Sequence, residues 1–287
     1  MYTWKVDETS SGQRLDVFVA RQLPELSRSS IQKLSEDKKV LVDTKPEKPS
    51  YKLKEGQKVK FNYDLGKLQD IPLINLPILY EDDDCLVINK PIGVLTHSKG
   101  AFNPEGTVAT FIAPKLNKEF SGERAGIAHR LDRATSGVII CAKTPEALIW
   151  IQKQFSQRKV KKSYQAVVPG SLKPAEAIID APIERNPKKP QTFRVNANGK
   201  EAITEYHTLK ISSDYSLLEL LPRTGRTHQL RVHLKHIGEP IVGDTLYDGQ
   251  VADRLYLHAY KLELTLPNRQ RKVFTAPIPK EFNVIMK

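Results

Sequence analysis

Apolar residues Leu15, Phe18, Val19 and Leu23 recur at the three- and four-residue spacing of one helix face. Pro24 ends the run, because proline lacks the N–H and the room that a helix interior requires. Ser27 offers a second helix start, and Ile31 with Leu34 carries an apolar stripe onward. Two short helices are therefore expected first. "KVLVD" and "GQKVKF" then read as brief strands separated by the turn-rich "TKPEKPSYKLKE", which closes a compact α+β unit over residues 10–63. Residues 64–76 have no clear periodicity and read as a linker. From residue 77 to 287 the pattern is that of a strand-rich domain. "ILYEDDDCLVINKP" places two apolar runs around an acidic turn, a hairpin signal, and "GVIICAK" is the continuous apolar run of a buried strand. Thr144-Pro145 caps and starts a helix carrying Leu148, Ile151 and Phe155. "KSYQAVV", "EAITEYHTLK", "YSLLELLP" and "LYLHAYKLELTLP" supply further strands. No internal repeat or low-complexity tract interrupts them.

Composition adds a partner class. Of the 287 residues, 39% are hydrophobic, enough for a real core, and Lys plus Arg exceed Asp plus Glu by a formal +12. A polyanion is the first partner to consider, with a basic enzyme that binds none as the alternative. The two cysteines, Cys85 and Cys141, sit inside apolar runs, so neither a disulfide framework nor a cysteine zinc cluster is available. "MYTWKVDETS" lacks the basic start and apolar core of a signal peptide, and no apolar run approaches membrane-spanning length. A protein of a soluble, reducing compartment is expected. Cytosol and nucleus look alike in this respect, and the cytoplasm is the assignment made.

Chemistry concentrates in two stretches. "HRLDRATSG" sets one carboxylate, Asp132, between Arg130 and Arg133, an arrangement that serves equally for a surface ion-pair cluster or for a reactive acid. "RTGRTHQLRVHLKHIG" combines a Gly turn, a Thr227 cap, and Leu230, Leu234 and Ile237 on an inward face. Arg223 and Arg226 precede this helix, and Arg231 with Lys235 is expected on its outer side. Such a turn can hold a phosphate or a buried carboxylate, although a solvated basic helix would look the same. The histidines have poor metal-pair spacing, and neither a P-loop nor a G-x-G-x-x-G is present.

In order along the chain, these pieces resemble the RluA-type pseudouridine synthases. "HRLDRATSG" is similar to the family's catalytic motif, His-Arg-Leu-Asp, two variable residues, then Thr-Ser-Gly. "YEDDDCLVINKPIGVLTH" resembles its opening hairpin with Lys-Pro-x-Gly, "KKSYQAVV" the segment of the active-site tyrosine, and "RTGRTHQLRVHL" the basic motif that follows. The likeness spans roughly residues 77–287. "RLDVFVARQLPELSRSSIQKL" resembles the αL-type RNA-binding domain that often precedes this catalytic domain. It departs where a glycine usual after the second helix is replaced around "SEDKKV", and where Asp43-Thr44 stands for an Asn-Gly turn.

The resemblance implies an α+β fold: a catalytic domain on a mixed, mainly antiparallel central sheet, preceded by a small α+β RNA-binding domain. It implies isomerisation of uridine to pseudouridine in structured RNA, which formally needs no cofactor. Asp132 would be the nucleophile or base, and Arg226 the guanidinium that keeps it ionised in a desolvated pocket. Tyr164 would stack on the uridine or move a proton, and Leu230 would wall the base. Arg130 would fill the gap left by a flipped nucleotide. His129 would assist or brace the loop, and Leu131 and Lys90 would complete the substrate contacts. Arg14, Ser27, Arg28, Ser29 and Lys33 would meet RNA from the first domain. The implied partner is ribosomal, transfer or messenger RNA, with no membrane and no metal, for a monomer. The rival from another class is a non-catalytic RNA-binding or remodelling protein using the same cleft. A metal-dependent hydrolase comes third.

Overall fold

A computed structural model describes residues 1–24, 26–68, 72–98, 105–120 and 124–287, so part of the expected linker, residues 69–71, lies outside the described residues. The elements run β1 (Tyr2–Lys5), α1 (Leu15–Gln22), α2 (Arg28–Glu36), β2 (Val40–Val42), β3 (Lys45–Pro46), β4 (Lys58–Phe61), β5 (Ile78–Glu81), β6 (Cys85–Lys90), α3 (Val108–Ile112), β7 (Ser136–Ala142), α4 (Pro145–Ser156), β8 (Lys161–Pro169), β9 (Glu176–Asp180), β10 (Ile183–Arg185), β11 (Phe193–Val195), β12 (Ile203–Ile211), β13 (Tyr215–Pro222), α5 (Gln229–His236), β14 (Leu257–Thr265), β15 (Arg271–Thr275) and α6 (Lys280–Ile285). The chain divides into two units, residues 1–74 with 97–110, and residues 75–96 with 111–287.

In the first unit both expected helices form where their stripes place them. Leu15, Phe18 and Val19 of α1 and Ile31 and Leu34 of α2 are buried in one cluster with Val40, Val59 and Phe61. Ser27 caps α2 by accepting from the Ser30 N–H. The sheet has the order β1-β4-β2-β3. Its first strand, Tyr2–Lys5, lies ahead of the segment where the pattern begins, and Tyr2 and Trp4 pack on Phe61. The β2–β3 turn puts both Asp43 (φ 47°) and Thr44 (φ 74°) in the left-handed region, where Asn-Gly is favoured. Asp43 compensates by accepting from the Lys58 N–H and from Gln57 Nε2.

The second unit is built on a nine-stranded sheet, β5-β6-β7-β14-β8-β13-β12-β9, with β15 also paired to β14. Among the described residues β7–β14 is its one parallel pair, so the sheet is mixed and mainly antiparallel as expected. The β5–β6 hairpin turns at Asp82, whose carboxylate accepts from the Asp84 and Cys85 N–H groups. All seven residues of β7 are buried. Thr144 caps α4, which packs Ala147 and Ile151 against Val138, Ile140, Leu262 and Leu264. Leu230 and Leu234 of α5 and Phe282 of α6 join Ala166, Val168, Leu218 and Leu220 in a separate cluster. The strands that hydropathy did not indicate, among them β9, β10, β11 and β15, have five residues or fewer. Segments that short carry too little alternation to register as strands.

Candidate active site

Asp132 lies in the loop before β7, and its backbone is tied down from several directions. Thr96 Oγ1 donates to Leu131 O (2.8 Å) and accepts from Leu131 N (3.2 Å). Gly93 N donates to Arg133 O (2.9 Å), and Thr135 N to Asp132 O (3.1 Å). Lys90 is fully buried, and its Nζ donates to Pro91 O (2.9 Å), Val94 O (2.9 Å) and Arg133 O (3.4 Å). Those three contacts use every N–H of an ammonium, so none is left for substrate. Lys90 is thus a brace for the loop, not the expected substrate contact. Burial pulls its pKa down to about 7, with the Asp132 charge acting in the opposite sense. The loop ends at Gly137, which has φ +116° and faces Ala259 across the parallel pair, where a Cβ would sit 2.2 Å from Ala259 O. Only glycine fits there.

A second wall comes from the turn between β13 and α5. Gln229 anchors it with a fully used amide: Oε1 accepts from Arg226 N (2.9 Å) and Thr224 Oγ1 (2.7 Å), while Nε2 donates to Ile203 O (2.9 Å) and Thr204 Oγ1 (3.0 Å). The residue preceding the helix is His228, in the left-handed conformation (φ 58°, ψ 16°), and Thr227 supplies no cap. Residues Gln229–Leu234 are all buried, Arg231 included, so the outward position expected of that arginine is wrong. Arg231 donates through Nε and Nη2 to both oxygens of Asp244 (2.7 and 2.6 Å), and its Nη1 stands 3.7 Å from Asp132 Oδ2. The expected partner, Arg226, instead donates from Nε to Glu201 O (2.8 Å). His228 Nε2 also stands 3.7 Å from Asp132 Oδ2.

Between these walls is a cavity of about 300 Å³. Asp132 is the one carboxylate among its described lining residues, which include His129, Arg130, Leu131, Tyr164, Arg226 and Leu230 of the expected set. Lys90 is not among them. Tyr164, on β8 opposite Leu220 and Ala259, has its phenol pKa raised by burial and then by the Asp132 charge, so it keeps its proton at neutral pH. His129 Nε2 accepts from Ile140 N (3.1 Å), the ring stacks on Phe155 at 4.6 Å, and burial drives its pKa down to about 3. Its ring is held between the β7 backbone and Phe155 of α4. Arg130 is exposed at this loop.

Sequence reasoning passed over Arg231, His228, Lys162, Phe155 and Leu257 as lining residues. The signal for the first two was their place in the basic motif that follows β13, His228 just before α5 and Arg231 within it. Burial lowers the Lys162 pKa to about 8, and its Nζ donates to Thr224 O (3.1 Å). His233 is consumed by Thr204 Oγ1 and Ala181 O (both 2.9 Å). Among the described residues no group of three or more His, Cys, Asp or Glu side chains is placed to hold a metal.

None of the five expected RNA contacts of the first unit is among this cavity's described lining residues. Arg14 donates through Nε and Nη2 to Asp16 (2.9 and 3.0 Å), and Arg28 adds an N–H to the same buried carboxylate (3.1 Å). Hydrogen bonding from Arg14 first, then from Gln32 and Arg28, holds the Asp16 pKa well below the usual range. Ser27 and Ser29 share a hydroxyl contact (2.9 Å) at the start of α2, and Arg28, Ser29 and Lys33 are exposed.

Residues 84–236 match the family described as RNA pseudouridylate synthase, and residues 13–59 match the S4 domain. Over 302 aligned residues the chain is 37% identical to ribosomal large subunit pseudouridine synthase D of Escherichia coli O6:H1, covering 97% of this chain and 91% of that protein. It is 40% identical over 244 residues to an uncharacterized RNA pseudouridine synthase of Aquifex aeolicus, covering 82% and 77%. The solved structure of human RNA Pseudouridylate Synthase Domain Containing 1 superposes with a TM-score of 0.59 at 28% identity, over 72% of this chain and 85% of that one. A family match that runs through both the Asp132 loop and the Arg231 helix, extended by relatives alike over nearly the whole chain, makes this protein a member of the RluA-type RNA pseudouridine synthases, isomerases that act on uridine in RNA.

Proposed function

We propose that the enzyme isomerises uridines of large-subunit ribosomal RNA in the cytoplasm, with Asp132 as the essential acid and Tyr164 against the base. The name of the Escherichia coli relative supports the choice of RNA. In this reading residues 10–63 bind RNA, residues 64–76 link, and residues 77–287 catalyse, as a monomer without metal or cofactor. The observation that carries it is Asp132, the one carboxylate among the described lining residues of a cavity shared with Tyr164, Leu230 and Arg231, the size of a small-ligand site. Uracil, once detached from ribose, must turn without escaping. A phenol that keeps its proton and a leucine wall can confine it, while the Arg231 guanidinium faces the acid at 3.7 Å. Arg130, exposed next to Leu131, takes the space of the extracted nucleotide.

The test is Asp132→Asn, assayed under single-turnover conditions on large-subunit ribosomal RNA, with pseudouridine read by mass spectrometry. Folding and RNA affinity are expected to persist while no product forms at any temperature. Substantial product, after deamidation back to aspartate is excluded, would overturn the assignment of Asp132. Full activity of the wild type on transfer RNA alone would overturn the choice of substrate.

A further inference from the structure

His228 is buried enough to be shielded yet lines the cavity, and its conformation is one that few residues other than glycine adopt. Its ring lies in a cage of Phe193 and Tyr247, edge-on to both at centroid distances of 5.5 and 5.6 Å. The hydrogen bonds around Tyr247 bear on which imidazole nitrogen carries the proton. Phe193 N donates to Tyr247 Oη (2.9 Å), and among the described residues the other hydrogen-bond partner of that oxygen is His228 Nδ1, at 2.7 Å. Burial lifts the Tyr247 phenol to about 12, so it retains its proton, and His228 Nδ1 is the acceptor in reach. With Nδ1 accepting, a neutral ring carries its proton on Nε2. Burial lowers the His228 pKa, which keeps the ring neutral, with Asp132 and Asp244 opposing and Arg231 and Arg130 adding to that effect.

We propose that His228 is a positioning residue for this reaction: a backbone-anchored relay from Phe193 through Tyr247 aims its Nε2–H at Asp132, so that His228 and Arg231 together hold Oδ2 and leave Oδ1 as the reacting oxygen. Both donors make their closest approach to the same oxygen, at 3.7 Å. At that separation Arg231 acts through its charge and the neutral His228 through its N–H dipole, and a rotation of the carboxylate would shorten both into hydrogen bonds. Arg231 is in turn held by Asp244 and lies over the Tyr247 ring at 4.9 Å. One tyrosine therefore orients both partners of the acid. The proposal rests on the reading of Asp132 as the essential acid.

The experiment combines a double-mutant cycle with a direct view of the proton. Tyr247→Phe keeps the ring over Arg231 and removes only the hydroxyl, and His228→Ala removes the donor. Each is expected to lower the single-turnover rate about tenfold, with the dissociation constant for RNA unchanged. The double variant should be no slower than His228→Ala, because the hydroxyl removed in Tyr247→Phe acts only through the histidine. In 15N-histidine-labelled wild-type enzyme, long-range proton–nitrogen correlation should show His228 protonated at Nε2 and bare at Nδ1, with Tyr247→Phe mixing the tautomers. Losses that multiply in the double variant, or an Nδ1-protonated ring in the wild type, would overturn the proposal. If His228→Ala fails to fold, His228→Gln replaces it in the cycle and should retain more rate than an unfolded-state artefact allows, since its amide can reach as a donor. Asp132→Asn assayed alongside separates the two readings. An active asparagine variant removes the assignment of the acid, whereas an inactive one beside wild-type rates in Tyr247→Phe and His228→Gln removes only the relay.

Discussion

Arg231→Met separates the arginine that serves the acid from the one that does not. The guanidinium is bound to Asp244, whose side chain is 1% exposed, so removing it leaves a buried, unpaired carboxylate. Breaking such a pair from one side costs about 3–5 kcal/mol of stability. Adding Asp244→Asn removes the stranded charge, and most of that loss should return. Activity should not return with it. At 3.7 Å from Asp132 and an effective dielectric constant of about 20, the Arg231 charge interacts with the acid by about 4 kcal/mol. If two-thirds of that is expressed in the transition state, the single-turnover rate falls about 100-fold. Arg226→Ala should cost one hydrogen bond to Glu201 O, about 1 kcal/mol, with a smaller effect on rate. Denaturant melts of the four proteins, paired with pseudouridine yield at enzyme excess, measure both quantities. A folded Arg231→Met/Asp244→Asn enzyme turning over at the wild-type rate, or Arg226→Ala being the more damaging of the two arginine substitutions, would refute the reasoning.

Arg130→Ala should slow reaction on folded RNA at least about tenfold more than on a short unstructured strand, since only the former must be unstacked at a cost of a few kcal/mol; equal losses on the two substrates would contradict it. Gly137→Ala should destabilise by about 3 kcal/mol or more, because its Cβ would meet Ala259 O at 2.2 Å in a left-handed position, and an unchanged urea midpoint would show that the β7–β14 seam yields. Lys90 has a folded pKa depressed to about 7 against an unfolded value near 10.4, so between those limits the unfolded state binds more protons and stability rises with pH. The wild type should therefore gain on Lys90→Met by up to about 1.4 kcal/mol per pH unit from pH 7 to 10, and parallel stability curves for the two would show that the buried ammonium does not titrate there.

What depends on neighbours in sequence was legible. Ser27 and Thr144 cap helices because a hydroxyl reaches the N–H three residues on, and the Asp82 turn closes because its carboxylate meets two adjacent amides. Asp132 and Tyr164 stood out through motifs resembling a family. The identity of the acid's guanidinium was not legible. Taking Leu230, Leu234 and Ile237 as the inward face sends Arg231 outward, but α5 is enclosed on several sides, and Ile237 is the member left 37% exposed. A single apolar stripe says little about a helix with neighbours all round. The left-handed turn at His228 and the Gln229 anchor then decide which arginine approaches Asp132. Lys90 escaped for a similar reason: its acceptors come from residues 91, 94 and 133, and no local pattern reveals a carbonyl cage.

The parallel seam behind the Asp132 loop also sets an order in time. Ser136 and His258 face each other there and share a hydrogen bond across 122 positions of chain. Contacts that distant are the slow ones to form, and during synthesis the later partner is still unmade when Asp132 has left the ribosome. The α1–α2 packing and the β2–β4 pairing need only residues 15–61, so they form early. A nascent chain thus acquires its S4-type fold long before it acquires a catalyst.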